Sequence, residues 1–201
     1  MTEFSLSFFC TGLQSRLFLA LRSCYADHMA LEHITLRLAQ ATDASRIALM
    51  SRDLIEVGLG WSWQTERVAR TMRRADATTL VAVDGKRVIG FAIMQFGEEH
   101  AHLSLLAVAP THRRMGVGKR MIDWLIKSAY TAGIAVIHLE LRTTNQAGRR
   151  FYRALGFVDG SYIPGYYCGR ETALRMLREL RSPGIAAVQW QLPAPPPGSA
   201  T

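Results

Sequence analysis

The amino-acid sequence predicts an α/β (α+β) fold, with a mixed central β-sheet of about six or seven strands flanked by about four helices. Three observations lead to this prediction. Strand-like and helix-like segments alternate from residue 33 onward, and the strands outnumber the helices. Asp84-Gly85 separates two apolar runs and is a strong hairpin signal, so some neighbouring strands are antiparallel. Other strands are joined through helices, as parallel strands are, and the sheet is therefore mixed.

Each predicted element has a local signal. Asp43 is an N-cap candidate for the first helix, the break GLGWSWQ separates the first two helices, and Gly133 and Gly156 end the last two. The predicted order is a strand at about 34–39, helices at about 44–57 and 64–74, strands at about 79–84 and 87–96, a strand from 103, a helix over 116–132, a strand over 135–142, a helix over 145–155, and two strands within 157–177.

The 201 residues accommodate one domain with a full core, which we expect to cover 33–181. Residues 1–28 form an N-terminal extension whose apolar stretch is interrupted by Gln14 and Arg16, which predicts neither a signal peptide nor a membrane span. Either the native protein starts at Met29, or the extension is an amphipathic helix that packs on the domain or contacts a membrane. Residues 182–201 contain PAPPPGSA and predict a flexible tail.

Composition narrows the classes of function. Hydrophobic residues make up 49% and charged residues 20% of the chain, which is typical of a globular protein. The net charge of +8 favours anionic ligands: nucleic acid, an anionic membrane surface or a phosphorylated cofactor. The arginines occur in short, scattered pairs, so we expect no nucleic-acid partner. A homodimer is one assembly that the sequence allows.

The cysteines and histidines indicate neither a redox site nor a metal site. Three cysteines occur without a CxxC pair, which suits a reducing cytoplasm. His100 and His102 would share one face of a strand, but no third ligand follows at a useful spacing. We therefore expect a cytoplasmic protein without a metal.

A glycine loop lies between an apolar strand and a helix, in the segment RRMGVGK. Gly116 and Gly118 allow close approach of a ligand to the backbone, and the first N–H groups of the following helix lack partners, so the loop predicts a phosphate site. A Walker A loop is excluded because Arg120 follows Lys119, and a Rossmann fingerprint because position 121 is Met121. An ordinary strand-to-helix turn is the alternative.

The strand AVIHLELR has an apolar face and a polar face, and the polar one carries His138, Glu140 and Arg142. A strand in the middle of a covered sheet is normally apolar on both faces. Either this face borders solvent, or Glu140 pairs with Arg142, or Glu140 lines a functional cleft. Tyr152 lies in the next helix. Its own sequence surroundings predict a core aromatic residue.

Three ordered motifs resemble those of the GCN5-related N-acetyltransferase (GNAT) family, and within it most closely the RimI-like N-terminal acetyltransferases. They are LAVAP followed by RRMGVGK, then LELRTTNQAGRRFYRALGF, then YYCGRETALRM. The resemblance covers about residues 34–180 and implies the GNAT fold.

The resemblance also implies roles for individual residues. Glu140 would be the proton acceptor, Tyr152 the proton donor and Asn145 a cofactor contact. Backbone groups would hold the pantetheine arm and thioester of acetyl-CoA, and the loop would bind its pyrophosphate. These cofactor-binding positions are Leu106, Ala107 and Val108, and Arg113, Arg114, Met115, Gly116, Val117, Gly118 and Lys119.

Elementary chemistry agrees with these roles. A protonated amine must lose a proton before it attacks a thioester, and a carboxylate in a cleft is a sensible base. The leaving thiolate gains from a phenol O–H. Trp61 and Trp63 either form a wall for a cationic amine or simply pack. The acceptor would be a protein or peptide N-terminus or a small-molecule amine. A non-catalytic acyl-CoA-binding regulatory module is the alternative function.

Overall fold

The computed structural model describes residues 33–180, and it confirms the predicted fold as a seven-stranded mixed sheet with four α-helices. The N-terminal extension, the alternative start and the tail lie outside the described residues. The elements are β1 (Ile34–Leu38), α1 (Ala44–Leu54), α2 (Thr65–Met72), β2 (Ala77–Asp84), β3 (Arg87–Phe96), β4 (His100–Val108), α3 (Val117–Thr131), β5 (Val136–Arg142), α4 (Gln146–Ala154), β6 (Val158–Tyr167) and β7 (Glu171–Glu179), with short 3-10 turns at Ala41–Asp43 and Pro110–His112.

The strands lie in the order β1-β2-β3-β4-β5-β7-β6. Only the central β4–β5 pair is parallel, and α3 is its crossover; every other neighbouring pair is antiparallel. Among the described helices, none has the length and apolar character needed to cross a membrane.

Helices cover both faces of the sheet. On one face, α1 and α2 pack through Ile47, Ala48 and Val68 against strand residues that include Phe91. On the other face, α3 packs through residues such as Met121. The two faces can therefore be named by their helices, the α1/α2 face and the α3/α4 face.

The first helix ends at Leu54, three residues before the predicted end at 57. The reason is Glu56, whose carboxylate is buried and accepts hydrogen bonds from Ser51, from the Ser62 hydroxyl and from the backbone N–H groups of Ser62 and Trp63. An exposed helical Glu56 could not collect these donors. The same bonds fix the course of the α1–α2 loop.

A β-bulge in β4 changes which side chains face which layer. Met94 of β3 pairs with Leu103, whereas Ile93 pairs with Leu105, so Ser104 is an extra residue. Before the bulge, Leu103 belongs to the core on the α3/α4 face, and after it Leu105 belongs to the core on the α1/α2 face. The even-numbered His102 therefore lies on the α1/α2 face.

Candidate acetyl-transfer site

The centre of the sheet opens where β4 and β5 separate. Their parallel pairing runs from His100 opposite Val136 to His102 opposite His138, and both strands continue beyond it. In an antiparallel pair, part of a strand's backbone polar groups point away from the partner. On β4 beyond the bulge, the groups that do not face β3 are directed into this gap. The predicted thioester-binding residues Leu106, Ala107 and Val108 lie on this stretch.

The glycine loop enters α3 beside the same gap. Gly116 is the N-cap residue, with a left-handed φ of 80°, and no side chain caps the helix there. Arg114 is also left-handed, with a φ of 64°. Val117 is buried and Met115 packs on the core. No side chain caps the first-turn N–H groups of α3, which is compatible with the anion site that the sequence predicts.

Two of the predicted cationic side chains have partners within the chain. The Arg113 Nε donates to the Val108 carbonyl at 3.0 Å, which ties the loop to the end of β4. Lys119, whose side chain is 63% exposed, pairs with Asp123 one helical turn later, at 2.6 Å. An exposed i, i+4 pair of this kind contributes only a few tenths of a kcal/mol, so Lys119 can exchange Asp123 for a phosphate at little cost.

Gly118 and Asn145 have structural roles that the sequence reasoning did not assign to them. A Cβ atom on Gly118 would lie 3.3 Å from the ring of Phe151, so the glycine permits close packing of α3 against α4. The Asn145 side chain caps α4 by accepting from the Gly148 N–H at 2.9 Å. Oδ1 of Asn145 accepts this capping bond. The amide nitrogen is the group that can donate to the cofactor in the contact that the resemblance implies.

Glu140 lies at the centre of a polar network on the α1/α2 face. Its side chain is 3% exposed. Oε2 faces the His102 Nε2 at 2.8 Å and accepts from the Tyr166 hydroxyl at 3.3 Å, while Oε1 accepts from the Arg175 Nε at 2.7 Å. Burial by itself would raise the pKa of Glu140, but the hydrogen bonds from His102 and Arg175 outweigh it and lower the pKa to about 2.

The alternative pairing of Glu140 with Arg142 does not occur. Arg142 instead lies 3.6 Å from Glu171 and donates to the Val57 carbonyl at 2.5 Å. Its guanidinium also lies 5.9 Å from the ring centroid of Tyr167. Arg142 thus connects the start of the α1–α2 loop to the β6–β7 hairpin.

Tyr152 packs on the other face of the sheet. Its ring meets Phe151 and Phe157 edge to face, with centroids 5.1 and 5.5 Å away, at the edge of the core that α3 covers. Burial, and then the neighbouring Tyr167, raise the pKa of Tyr152 above its ordinary value, so the phenol keeps its proton. Tyr167 is also within electrostatic range of Glu140. The two predicted acid–base residues therefore lie on opposite faces of the sheet.

His102 and His138 bring further chemistry to the network. Their rings stack with centroids 4.7 Å apart and planes 7° apart, and their donor atoms and those of Glu140 lie within 4.8 Å of one another. Two of the three groups come from β5, and His100, which the sequence places with His102, is not among them. The stacked rings place their lone pairs in parallel planes, and Arg175 neutralises the carboxylate, so the cluster is poorly suited to a cation.

Sequence reasoning missed four members of this site, which are His102, Tyr166, Tyr167 and Arg175. The signal available in the sequence was a polar residue at every second position of β4, β5 and β7. Only the strand register brings these positions together, since Glu140 pairs directly with Arg175 across β5 and β7.

The tryptophans of the α1–α2 loop occupy packing positions. Trp63 is 8% exposed and lies in the core, with the Arg67 guanidinium 4.2 Å from its ring centroid. The Trp61 N–H donates to the carbonyls of Ala48 and Trp63, and Arg52 lies 5.4 Å from its ring centroid. Arginines thus already lie over both rings, which favours the packing alternative over an amine-binding wall.

A surface cleft lies between the α1–α2 loop and the β6–β7 hairpin. The Cys168 thiol donates to the Leu59 carbonyl at 2.8 Å and holds the two segments together. The lining residues are Gly58, Leu59, Gly60, Tyr167, Cys168, Arg170 and Glu171. Tyr167 connects this cleft to the surroundings of Glu140 and Tyr152.

Comparison with known proteins agrees with the geometry. The sequence model of the acetyltransferase (GNAT) family matches residues 47–157. The [ribosomal protein bS18]-alanine N-acetyltransferase of Escherichia coli K12 is 34% identical over 93 residues, which cover 45% of this chain and 63% of that relative. The chain thus matches somewhat less than two thirds of that protein's length.

Solved structures share the fold. The ribosomal-protein-S18-alanine N-acetyltransferase from Escherichia coli superimposes with a TM-score of 0.66 at 24% identity, over 76% of this chain and 97% of that chain. Arabidopsis thaliana NAA60 in complex with acetyl-CoA gives a TM-score of 0.66 at 18% identity, over 74% of this chain and 99% of that chain.

Proposed function

Because the chain belongs to the GNAT family of acetyltransferases, we propose that it transfers an acetyl group directly from acetyl-CoA to a primary amine. The observation that carries this proposal is the gap between β4 and β5, with the uncapped N-terminus of α3 beside it. Acyl transfer needs backbone donors for the thioester oxygen and an anion site for the pyrophosphate, and both are offered at this place.

The described residues fit acetyl-CoA as the acetyl donor. The α3 N-terminus and the exposed Arg113, Arg114 and Lys119 side chains would bind the pyrophosphate. The β4 edge from Leu106 to Val108 would hold the pantetheine arm and orient the thioester, and Asn145 would add its amide nitrogen. The relative from Arabidopsis thaliana that was crystallised with acetyl-CoA supports this donor.

The acid–base roles follow from the positions of Glu140 and Tyr152. The network centred on Glu140 takes the proton of the acceptor ammonium on the α1/α2 face, and the free amine attacks the thioester carbon. Tyr152 gives its O–H proton to the sulfur as the C–S bond breaks. The second proton that the attacking nitrogen must lose then restores the Tyr152 phenol, directly or through water. Burial raises the pKa of Tyr152, so the phenol carries its proton when acetyl-CoA binds.

We propose a peptide or protein N-terminus as the acceptor. The cleft between Gly58–Gly60 and Tyr167–Glu171 is a groove between two loops, which suits an extended chain end. Glu171 lines the groove, and its carboxylate can approach a cationic α-ammonium group. The relative from Escherichia coli, named for a ribosomal protein alanine, supports the same class of acceptor.

Incubation with acetyl-CoA and a mixed panel of acceptors tests the activity. We expect mass spectrometry to show one added acetyl group on the α-amine of peptides, with alanine-initiated peptides in the lead. Preference for polyamines, amino acids or aminoglycosides would contradict the peptide acceptor. Tight acetyl-CoA binding without any acetylated product would contradict the enzyme and support the regulatory module.

Gly116→Ala tests the pyrophosphate site, and Gly133→Ala at the other end of α3 is its matched control. Both glycines are left-handed, with φ of 80° and 82°, so both variants should lose about 1–2 kcal/mol of stability. We expect only Gly116→Ala to weaken CoA binding, roughly tenfold for 1.4 kcal/mol of lost binding energy. Calorimetric titration with CoA measures the difference, and equal weakening in both variants would contradict the site.

A further inference from the structure

His102 stands where the parallel pairing of β4 and β5 ends, directly before the strands separate. Its side chain is 31% exposed, whereas the Glu140 side chain beside it is 3% exposed. A group that takes a proton from an incoming amine must be reachable from solvent. Of the two bonded partners, the imidazole is the accessible one.

The hydrogen bonds around His102 select one tautomer of its ring. Nε2 lies 2.8 Å from a Glu140 oxygen, and an ionised carboxylate only accepts, so Nε2 carries the hydrogen. The other nitrogen, Nδ1, lies 3.3 Å from the Ser104 hydroxyl. Gln95 Nε2 donates to that hydroxyl oxygen at 3.1 Å, which turns the Ser104 hydrogen towards Nδ1. Nδ1 is therefore the unprotonated nitrogen, and its lone pair accepts the Ser104 hydrogen.

We propose that His102 takes the proton from the acceptor amine and that Glu140 is the positioning residue that holds the ring. The inference rests on the proposed acetyl transfer and refines it. The ammonium N–H bond breaks as its proton passes to the Ser104 oxygen, and the hydrogen that Ser104 already carries moves to His102 Nδ1. The N–H at Nε2 stays in place, and the resulting imidazolium is paired with the Glu140 carboxylate.

The basicity of the two groups agrees with this division of roles. A proton acceptor works best when its pKa is near the working pH, and a carboxylate with a pKa of about 2 is far below it. The His102 ring instead offers a nitrogen without a hydrogen, which can take a proton while the carboxylate beside it stays ionised. A carboxylate beside the ring stabilises the imidazolium, as in hydrolases with a carboxylate–histidine pair.

The other groups that face His102 do not compete for the proton. Burial, and then the charge of His102, lower the pKa of His138, so the stacked ring stays neutral. Arg175 from β7 and Tyr166 from β6 reach the same carboxylate as hydrogen-bond donors. His100 lies on the same face of β4 at its exposed start.

Replacing His102 by Gln tests the inference, with His100→Gln as the matched control. Gln can still donate to Glu140 but cannot accept the proton. We expect kcat/KM at pH 7 to fall roughly 100-fold in His102→Gln and to be unchanged in His100→Gln. CoA affinity should be unchanged.

Nitrogen NMR of the His102 ring gives a second readout that does not depend on turnover. We expect the neutral ring to carry its hydrogen on Nε2 and to lose this preference in Glu140→Gln. A ring protonated at Nδ1 would overturn the inference, as would full activity of His102→Gln alongside an inactive Glu140→Gln. If the wild-type protein forms no acetylated product, the proposed function and this inference both fail. If the wild-type enzyme is active and His102→Gln has the same kcat/KM, the inference alone fails.

Discussion

Tyr152→Phe is expected to lower kcat roughly 100-fold, the usual size of a lost general acid, while CoA affinity stays unchanged. The substitution removes one hydroxyl group and keeps the ring that packs against Phe151 and Phe157. Stability should change by no more than about 1 kcal/mol. The departing thiolate would then have to leave unprotonated or take its proton from water.

Steady-state kinetics on the best peptide acceptor, with CoA titration and thermal unfolding in parallel, separate catalysis from binding and folding. Tyr130→Phe is the matched control, since Tyr130 lies on α3 with 65% of its surface exposed. It should behave like the wild type. Equal kcat values for Tyr152→Phe and the wild type would remove Tyr152 from the reaction.

Glu140→Gln is expected to reduce both activity and stability. The variant leaves His102 and Arg175 without an anionic partner, which should cost about 1–3 kcal/mol at neutral pH. We expect turnover to fall by at least roughly 100-fold, because the ring of His102 loses both its orientation and its counter-charge.

The stability difference should depend on pH in a defined direction. The pKa of Glu140 falls from an ordinary 4.5 to about 2 in the folded protein. A carboxyl group with a lowered pKa contributes stability that is complete above its unfolded pKa and is lost as pH falls through its folded pKa. The gap between the wild type and Glu140→Gln should therefore be constant above about pH 5 and shrink between pH 4.5 and about 2.

Chemical denaturation at several pH values measures this gap. The matched control is Glu98→Gln, at an exposed carboxylate in the turn before β4. It should follow the wild type over the whole pH range. A gap between wild type and Glu140→Gln that is the same at pH 7 and pH 2 would show that the carboxylate is not held ionised by its neighbours.

Much of the fold followed from local patterns, because hairpin signals, helix ends and period-two alternation act within a few residues. The face of β5 that carries Glu140 is an example, since the alternation of that strand is complete in the structure. The asparagine cap of α4 has a local signal of the same kind, because Asn is a preferred residue directly before a helix.

The rest depended on contacts between distant segments. The pairing of His102 with Glu140 needs both the parallel register of β4 with β5 and the extra residue Ser104, and neither has a local signal. The early end of α1 is set by donors from Ser62 and Trp63, which arrive from the far side of a loop. In each case tertiary contacts overruled a local preference.

The sheet separates the two halves of the proposed reaction. The proposed donor contacts lie mainly on the β4 edge and at the start of α3, whereas the proposed acceptor groove lies between the α1–α2 loop and the β6–β7 hairpin. The two sets share no residue. Substitutions in the groove can therefore accumulate without disturbing the proposed binding site for the donor. This architecture can acquire a new acceptor during evolution while its donor stays the same.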